Sequence, residues 1–155
     1  MIDEFKRVMS HFCTGVVVVT GRDGAEPVGM TCQSFSSLSL EPPLVMFAAA
    51  RTSTTWPRIR RGGRFAVNIL SRHQHATSAA FATSGGDKFA DRPWRQGTLG
   101  VPLLSDAIAH VECDIHAVYP AGDHDIVTGL VRDLDEQDGT GEPLLYFRRS
   151  YRSLR

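Results

Sequence analysis

Between Gly29 and Pro43 the sequence runs Gly-Met-Thr-Cys-Gln-Ser-Phe-Ser-Ser-Leu-Ser-Leu-Glu-Pro-Pro, crowding small hydroxyl side chains between two apolar runs. Ser and Thr carry a donor and acceptors in little volume. Such a stretch suits a surface on which a flat polar heterocycle lies, its ring edge hydrogen-bonded by the main chain. The plainer reading is a Ser/Thr-rich loop that satisfies its own backbone. A second concentration, Arg51-Thr52-Ser53-Thr54, stands after a strand candidate and before a helix candidate. Free amides and the helix dipole favour an anion there, and Arg51 or Arg58 would add charge to a docked phosphate. The plainer reading makes Thr52 or Ser53 an N-cap and nothing more. In the third, Gly122-Asp123-His124, an imidazole able to donate to a carbonyl or phosphate follows a carboxylate that orients it or simply makes a turn.

Other chemistries find no support. His73 and His75 fall at the start of a predicted helix, where side chains at i and i+2 diverge, so a metal site is rejected. The three cysteines, Cys13, Cys32 and Cys113, are odd in number and form no Cys-x-x-Cys pair. Free thiols in a reducing cytoplasm are expected, not a disulfide framework or a zinc site. There is no G-x-G-x-x-G after a strand, no G-x-x-x-x-G-K-[ST] and no G-x-S-x-G. Rossmann, P-loop and nucleophile-elbow chemistry are therefore not indicated.

The elements that would position these residues are mostly strands. Phe5, Val8, Met9 and Phe12 recur at i, i+3, i+4 and i+7, predicting a short amphipathic helix over 3–12. Val16 to Thr20 is a β-branched run that reads as a buried strand; Asp23-Gly24 turns it toward a return strand over Val28 to Cys32. Leu44 to Ala49 and Arg64 to Leu70 are further strands. Between them lies a helix carrying Trp56 and Ile59 that ends at Gly62-Gly63. Ser71-Arg72-His73-Gln74 matches a capping box opening a third helix. Residues 86–106 read as a long surface loop, and strands are expected over about 108–119, 125–134 and 143–148. Strands with three inserted helices do not alternate as a doubly wound sheet does, and an antiparallel barrel that closes its edges suits the count.

Bulk properties agree with one domain over residues 1–155. The apolar fraction is 42%, and 17 basic residues balance 17 acidic ones. That balance gives no electrostatic reason to expect nucleic acid or an acidic membrane, and it tolerates self-association. The charged start Met1-Ile2-Asp3-Glu4-Phe5-Lys6-Arg7 is not a signal peptide, and the longest apolar run, Leu44 to Ala50, is far too short for a bilayer span. A cytoplasmic location is expected.

Five stretches in this order give the chain a family resemblance from about Phe5 to its end. They are F-x-x-x-M-S-x-F-x-T-G-V-x-V-V-T; T-C-Q-S-F-S-S-L-S-L-E-P-P-L-V; R-F-A-V-N-I-L with Gln74 and Phe81-Ala82; Asp87-Lys88-Phe89 with Gly100-x-Pro102-Leu103-Leu104; and G-D-H-D-I-V-T-G-L-V ending in P-L-L-Y-F-R-R-S-Y-R. The sequence resembles the flavin reductase-like family, short FMN-binding split-barrel proteins that supply reduced flavin to two-component monooxygenases.

The resemblance implies a mainly β split barrel, antiparallel and Greek-key-like, with sites formed at the interface of a homodimer. It implies that Met30, Thr31, Cys32, Gln33, Ser34, Ser36 and Ser37 wrap the isoalloxazine ring of FMN or FAD while Phe35 points into the core. Arg51, Thr52 and Ser53 would hold the phosphate, with Pro57 and Arg58 nearby; Lys88 and Phe89 would close over the flavin. His124, with Asp123, would lie beside the nicotinamide of NADH or NADPH. Where the family often carries Asn or another small residue, this chain has Cys32 and Gln33, which still offer main-chain amides.

The expected reaction is hydride transfer from nicotinamide C4 to flavin N5, with no catalytic side chain and a monooxygenase as recipient. The alternative is a flavin carrier or redox relay on the same fold, against which the Gly-Asp-His motif speaks. An oxidase similar to pyridoxamine-phosphate oxidase would need a dedicated basic pocket, and a purely structural module would leave the motifs without a role.

Overall fold

The computed structural model describes residues 1–154. Helix α1 (Ile2–Met9) places Phe5, Val8 and Met9 on one face but buries none of its residues, and it ends earlier than the predicted span. Phe5 stays 64% and Phe12 71% exposed. After the short strand β1 (Thr14–Gly15), the β-branched run enters β2 (Val17–Asp23) and turns at Gly24-Ala25 into β3 (Glu26–Cys32). Ser36–Leu40, whose serines hide any apolar alternation, is strand β4, paired with β5 (Pro43–Ala50). Helix α2 (Trp56–Gly62), strand β6 (Arg64–Ile69) and helix α3 (His75–Phe81) follow close to their predicted places. Half of the capping box forms: Gln74 Oε1 accepts the Ser71 N–H at 2.9 Å, and the helix starts after Gln74.

The stretch 86–106 corrects the surface-loop expectation. It folds back into the hairpin β7 (Trp94–Gln96) and β8 (Pro102–Leu104), with Val101, Leu103 and Leu104 buried. Two buried polar side chains hold it. Asn68 on β6 donates to Val18 O at 2.9 Å and Thr20 Oγ1 at 3.0 Å, and accepts the Leu104 N–H at 2.8 Å. Glu112 accepts the N–H groups of Thr98 and Leu99 at 3.2 and 2.9 Å. Glu112 belongs to the long strand β9 (Ala109–Ala121), which pairs with β10 (His124–Glu136). The chain finishes with β11 (Leu145–Phe147) and β12 (Ser150–Arg152), the latter not foreseen; with β1 they form a small three-stranded sheet.

Seven strands make one antiparallel sheet in the order β3-β2-β6-β9-β10-β5-β4. The sheet coils until β3 and β5 touch, yet the edge strands β3 and β4 do not pair, so no closed barrel forms. That corrects the expectation of closed edges. The Ser34 hydroxyl stands in for ladder bonds at the gap, accepting the Ala48 N–H at 2.8 Å and donating to Ala48 O at 3.1 Å.

The valine run is buried throughout because β2 separates two cores. Val17 and Val19 join Phe47, Trp56, Ile59 and Phe65, and the Phe47 ring meets those of Trp56 and Phe65 edge-on with centroids 5.8 and 5.1 Å away. Val16 and Val18 face Leu70, Phe81, Phe89, Leu104 and Leu144. Phe35 packs against the first core, as expected. Among the described residues no helix is long and apolar enough to cross a membrane.

Candidate functional site

Where the sheet stays open, a cavity of about 500 Å³ lies between the end of β3 and the end of β5. A volume of this order suits a small-molecule ligand. One wall is Met30 to Ser34, continuing β3; the facing wall is Ala48 to Ala50, small side chains that leave a flat surface. The floor turn Thr52 to Thr55 adds hydroxyls, and the end of α3 adds Phe81 to Ser84.

Local bonding fixes the turn. Ser53 Oγ accepts the N–H groups of Thr55 at 3.2 Å and Trp56 at 3.1 Å just ahead of α2, whose N-cap position is Thr55 and not the Thr52 or Ser53 of the plainer sequence reading. The same turn nonetheless lines the cavity. Trp56 Nε1 donates to Asp125 Oδ2 at 3.1 Å, tying α2 to β10. Asp125 also faces Arg51 Nε at 3.4 Å, which draws that guanidinium off the cavity lining. Asp125 is a positioning residue the sequence reading did not single out, although it stands inside the Gly-Asp-His-Asp run.

Two titratable groups reach the cavity from opposite sides. The two-residue turn Gly122-Asp123 between β9 and β10, with Gly122 at φ 61°, delivers His124 to the rim. Its Nδ1 lies 2.6 Å from Asp123 Oδ1, and the His124 hydrogen bond holds the Asp123 carboxyl below the usual carboxylate range. That contact directs the ring and leaves Nε2 for a ligand. Lys88 donates from Nζ to Gly29 O at 3.3 Å, and burial lowers its pKa below the ordinary lysine value. Among the described lining residues it is the only Lys or Arg. Cys32 is buried, its thiol pushed up by desolvation, with Sγ 3.1 Å from Ser34 Oγ. It is a packing thiol without a cationic neighbour to activate it.

Of the residues expected at the site, the structure brings together Met30, Thr31, Cys32, Gln33, Ser34, Thr52, Ser53, Lys88 and His124. Others stand elsewhere. Ser36 and Ser37 lie exposed on β4, and Pro57 sits in the first turn of α2. Arg58 is held by Asp23 at 2.9 Å and Glu26 at 2.6 Å and lines a neighbouring cavity of about 590 Å³. Phe89 does not cover the first cavity either: its ring packs edge-on to Phe81 at 5.0 Å within the second core, because the 86–106 stretch folds inward. Reading the sequence missed Ala48 to Ala50, Thr54 as a wall residue, Thr55 and Phe81 to Ser84. The alanine triplet ending β5 was the available signal.

The chain matches known proteins along nearly its whole length. Residues 9–155 match the family model described as flavin reductase like domain. The chain is 44% identical over 147 residues to the reductase subunit HsaB of a flavin-dependent monooxygenase from Rhodococcus jostii (strain RHA1), covering 95% of this chain and 75% of that protein. It is 42% identical over 153 residues to a flavin reductase (NADH) from Kitasatospora aureofaciens, covering 96% and 80%. Among solved structures, the NADH:FAD oxidoreductase of Streptomyces globisporus in complex with NAD and FAD fragments is similar at TM-score 0.94 and 36% identity, covering 99% of this chain and 93% of that one. A homolog of nitrilotriacetate monooxygenase component B from Mycobacterium thermoresistibile reaches TM-score 0.95 at 43% identity, covering 99% and 88%. The chain belongs to the flavin reductase-like family.

Proposed function

We propose that the chain is an NAD(P)H:flavin oxidoreductase that passes hydride from NADH or NADPH to FMN or FAD and supplies reduced flavin to a partner monooxygenase. The observation that carries this reading is the cavity at the open seam of the sheet, with the Met30–Ser34 segment on one wall, a flat alanine wall opposite and a histidine at its rim. The residues fit a flavin: the Met30–Ser34 segment faces the alanines across a narrow gap, and the Thr52–Thr55 hydroxyls with Lys88 suit a phosphate. A bound flavin supplies the electron-accepting ring. The protein's own contribution is positional. The walls would hold a ring flat, Lys88 would offer a cation to the phosphate, and His124 would offer Nε2 to the nicotinamide.

The fold reading is a split barrel acting as one domain over 1–155, located in the cytoplasm and working as a homodimer. Self-association is supported by the unburied apolar stripe of α1 and by Leu40 on β4, 95% exposed.

The test is to follow nicotinamide absorbance with purified protein and NADH or NADPH, with and without FMN, FAD or riboflavin. Flavin-dependent oxidation is the expected result. Flavin binding with no oxidation of either nucleotide would establish the carrier reading instead, and no flavin binding would refute both.

A further inference from the structure

A residue of the small terminal sheet is linked to the proposed flavin site through α3. Tyr151 stands half-buried on β12, outside the lining of the cavity. Its hydroxyl is hydrogen-bonded at 2.8 Å to Ser78 Oγ in the middle of α3, and Ser78 is fully buried. One turn earlier on the same face of α3, the His75 ring lies against the Tyr151 ring with centroids 4.2 Å apart. Tyr146 of β11 meets that ring edge-on at 5.2 Å.

Ser78 is also where α3 meets the cavity wall. Its main-chain oxygen accepts the Ala82 N–H at 3.0 Å and the Thr31 hydroxyl at 2.6 Å, and Thr31 and Ala82 both line the cavity. The second bond fixes the rotamer of Thr31, whose β-carbon carries a hydroxyl and a methyl, and so decides which of the two each neighbour meets. Ser78 Oγ has a competing partner on its own helix. Gln74 O, one turn back, already accepts the Ser78 N–H at 2.9 Å, and a serine hydroxyl that folds back onto such a carbonyl bends the helix. The bond to Tyr151 holds the hydroxyl away from that carbonyl. Because α3 is only seven residues long, a bend at Ser78 shifts Thr31 through Ser78 O and shifts the Phe81–Ser84 wall that follows. We infer that Tyr151 is a positioning residue of the flavin site, keeping Ser78 off its own helix so that Thr31 and the end of α3 stay in place. The inference rests on the proposed flavin site.

The experiment titrates FMN, and separately FAD, into the full chain and its variants, reading the dissociation constant and the number of sites from flavin fluorescence. Tyr151→Phe keeps the ring against His75 and removes only the hydroxyl. It should raise the flavin constant about fivefold, the scale of one hydrogen bond, with the number of sites per chain unchanged. Fewer sites at an unchanged constant would mean lost folded protein, and would make Tyr151 a structural residue only. Ser78→Ala has no hydroxyl to fold back, and should bind flavin within about twofold of the unaltered chain. Joined to Tyr151→Phe, it should restore the affinity that Tyr151→Phe loses, a rescue that a merely structural tyrosine would not show. Normal flavin affinity in Tyr151→Phe, equal weakening by Ser78→Ala, or a double variant no tighter than Tyr151→Phe would each overturn the positioning role. Failure of the unaltered chain to bind either flavin would instead overturn the proposed function itself.

Discussion

Replacing Gly29 with alanine tests both the packing of the second core and the shape of the candidate site. A Cβ built at Gly29 meets Phe81 Cε1 at 2.8 Å, Phe81 Cδ1 at 2.9 Å and Thr20 Cγ2 at 3.3 Å. Carbon atoms prefer roughly 3.5–4.0 Å, so the ring must retreat by about 0.7 Å. It has little room: Phe81 is 1% exposed and backed edge-on by Phe89 at 5.0 Å. The strain therefore passes to the end of α3, where Phe81 to Ser84 form a wall of the first cavity. Overpacking of this kind costs about 1–3 kcal/mol. At about 2–4 °C per kcal/mol for a chain of this size, Gly29→Ala should lower the Tm by about 6 °C and weaken flavin binding. Thermal unfolding followed by circular dichroism, with a flavin titration on the same sample, measures both. Gly15→Ala is the control, since a Cβ there meets nothing within 4 Å, and its Tm should not fall. A Gly29→Ala protein with unchanged Tm and unchanged flavin affinity would refute the placement of Phe81 and of the wall it supports.

Four further outcomes are expected. Asn68→Leu removes three hydrogen bonds, those to Val18 O and Thr20 Oγ1 and that from the Leu104 N–H, and at about 1 kcal/mol per lost bond it should cost about 3 kcal/mol in denaturant unfolding. His124→Ala should raise the nicotinamide KM more than it lowers kcat, because the ring positions a co-substrate; unchanged KM with collapsed kcat would refute that role. Lys88, its pKa lowered by burial, is charged below that value and loses charge as pH rises through it. FMN affinity should then fall in the alkaline range, sooner than for an ordinary lysine, while riboflavin affinity stays level and Lys88→Met abolishes the dependence. A thiol reagent at neutral pH should titrate Cys13 alone in the native protein and all three cysteines after denaturation. Cys32 and Cys113 are buried with raised pKa values, Cys113 to about 12.

What could be read in the sequence was whatever depends on neighbours along the chain. The valine run, the Asp-Gly turn and the Gly-Asp-His turn are local signals, and β2, β3 and the position of His124 follow from them. The wall from Met30 to Ser34 was legible because it lies within one continuous stretch, Gly29 to Pro43, whose crowded hydroxyl side chains mark it in the sequence. Beyond Ser34 the same composition misleads. Ser36 and Ser37 share it, but the chain has by then entered the edge strand β4 and left the cavity. Residues 86–106 were misread because what folds them inward is distant in sequence: Asn68 grips Leu104, and Glu112 grips Thr98 and Leu99. Neither composition nor periodicity reveals that a buried asparagine or glutamate is spoken for by another segment's backbone. Arg51 stands off the cavity lining for a similar reason, since its partner Asp125 arrives from β10.

The seam explains how such plain residues can make a site. A coiled sheet that closed fully would spend the edge groups of β3 on ladder bonds and fill the gap with side chains. Here the Ser34 hydroxyl, joined by the Cys32 thiol, ties the seam at Ala48, and the segment from Met30 to Ser34 is left lining the cavity. The reactive-looking groups on that lining are each restrained: burial keeps the Cys32 thiol protonated, Asp123 fixes the His124 ring, and Lys88 is bonded to Gly29 O. A lining of this kind can bind, align and exclude water, and hydride transfer between two cofactors asks for nothing more. It follows that substitutions along the walls should act mainly through affinity and alignment. A wall substitution that abolished turnover while both ligands still bound with normal affinity would reveal a chemical role that nothing on this surface supplies.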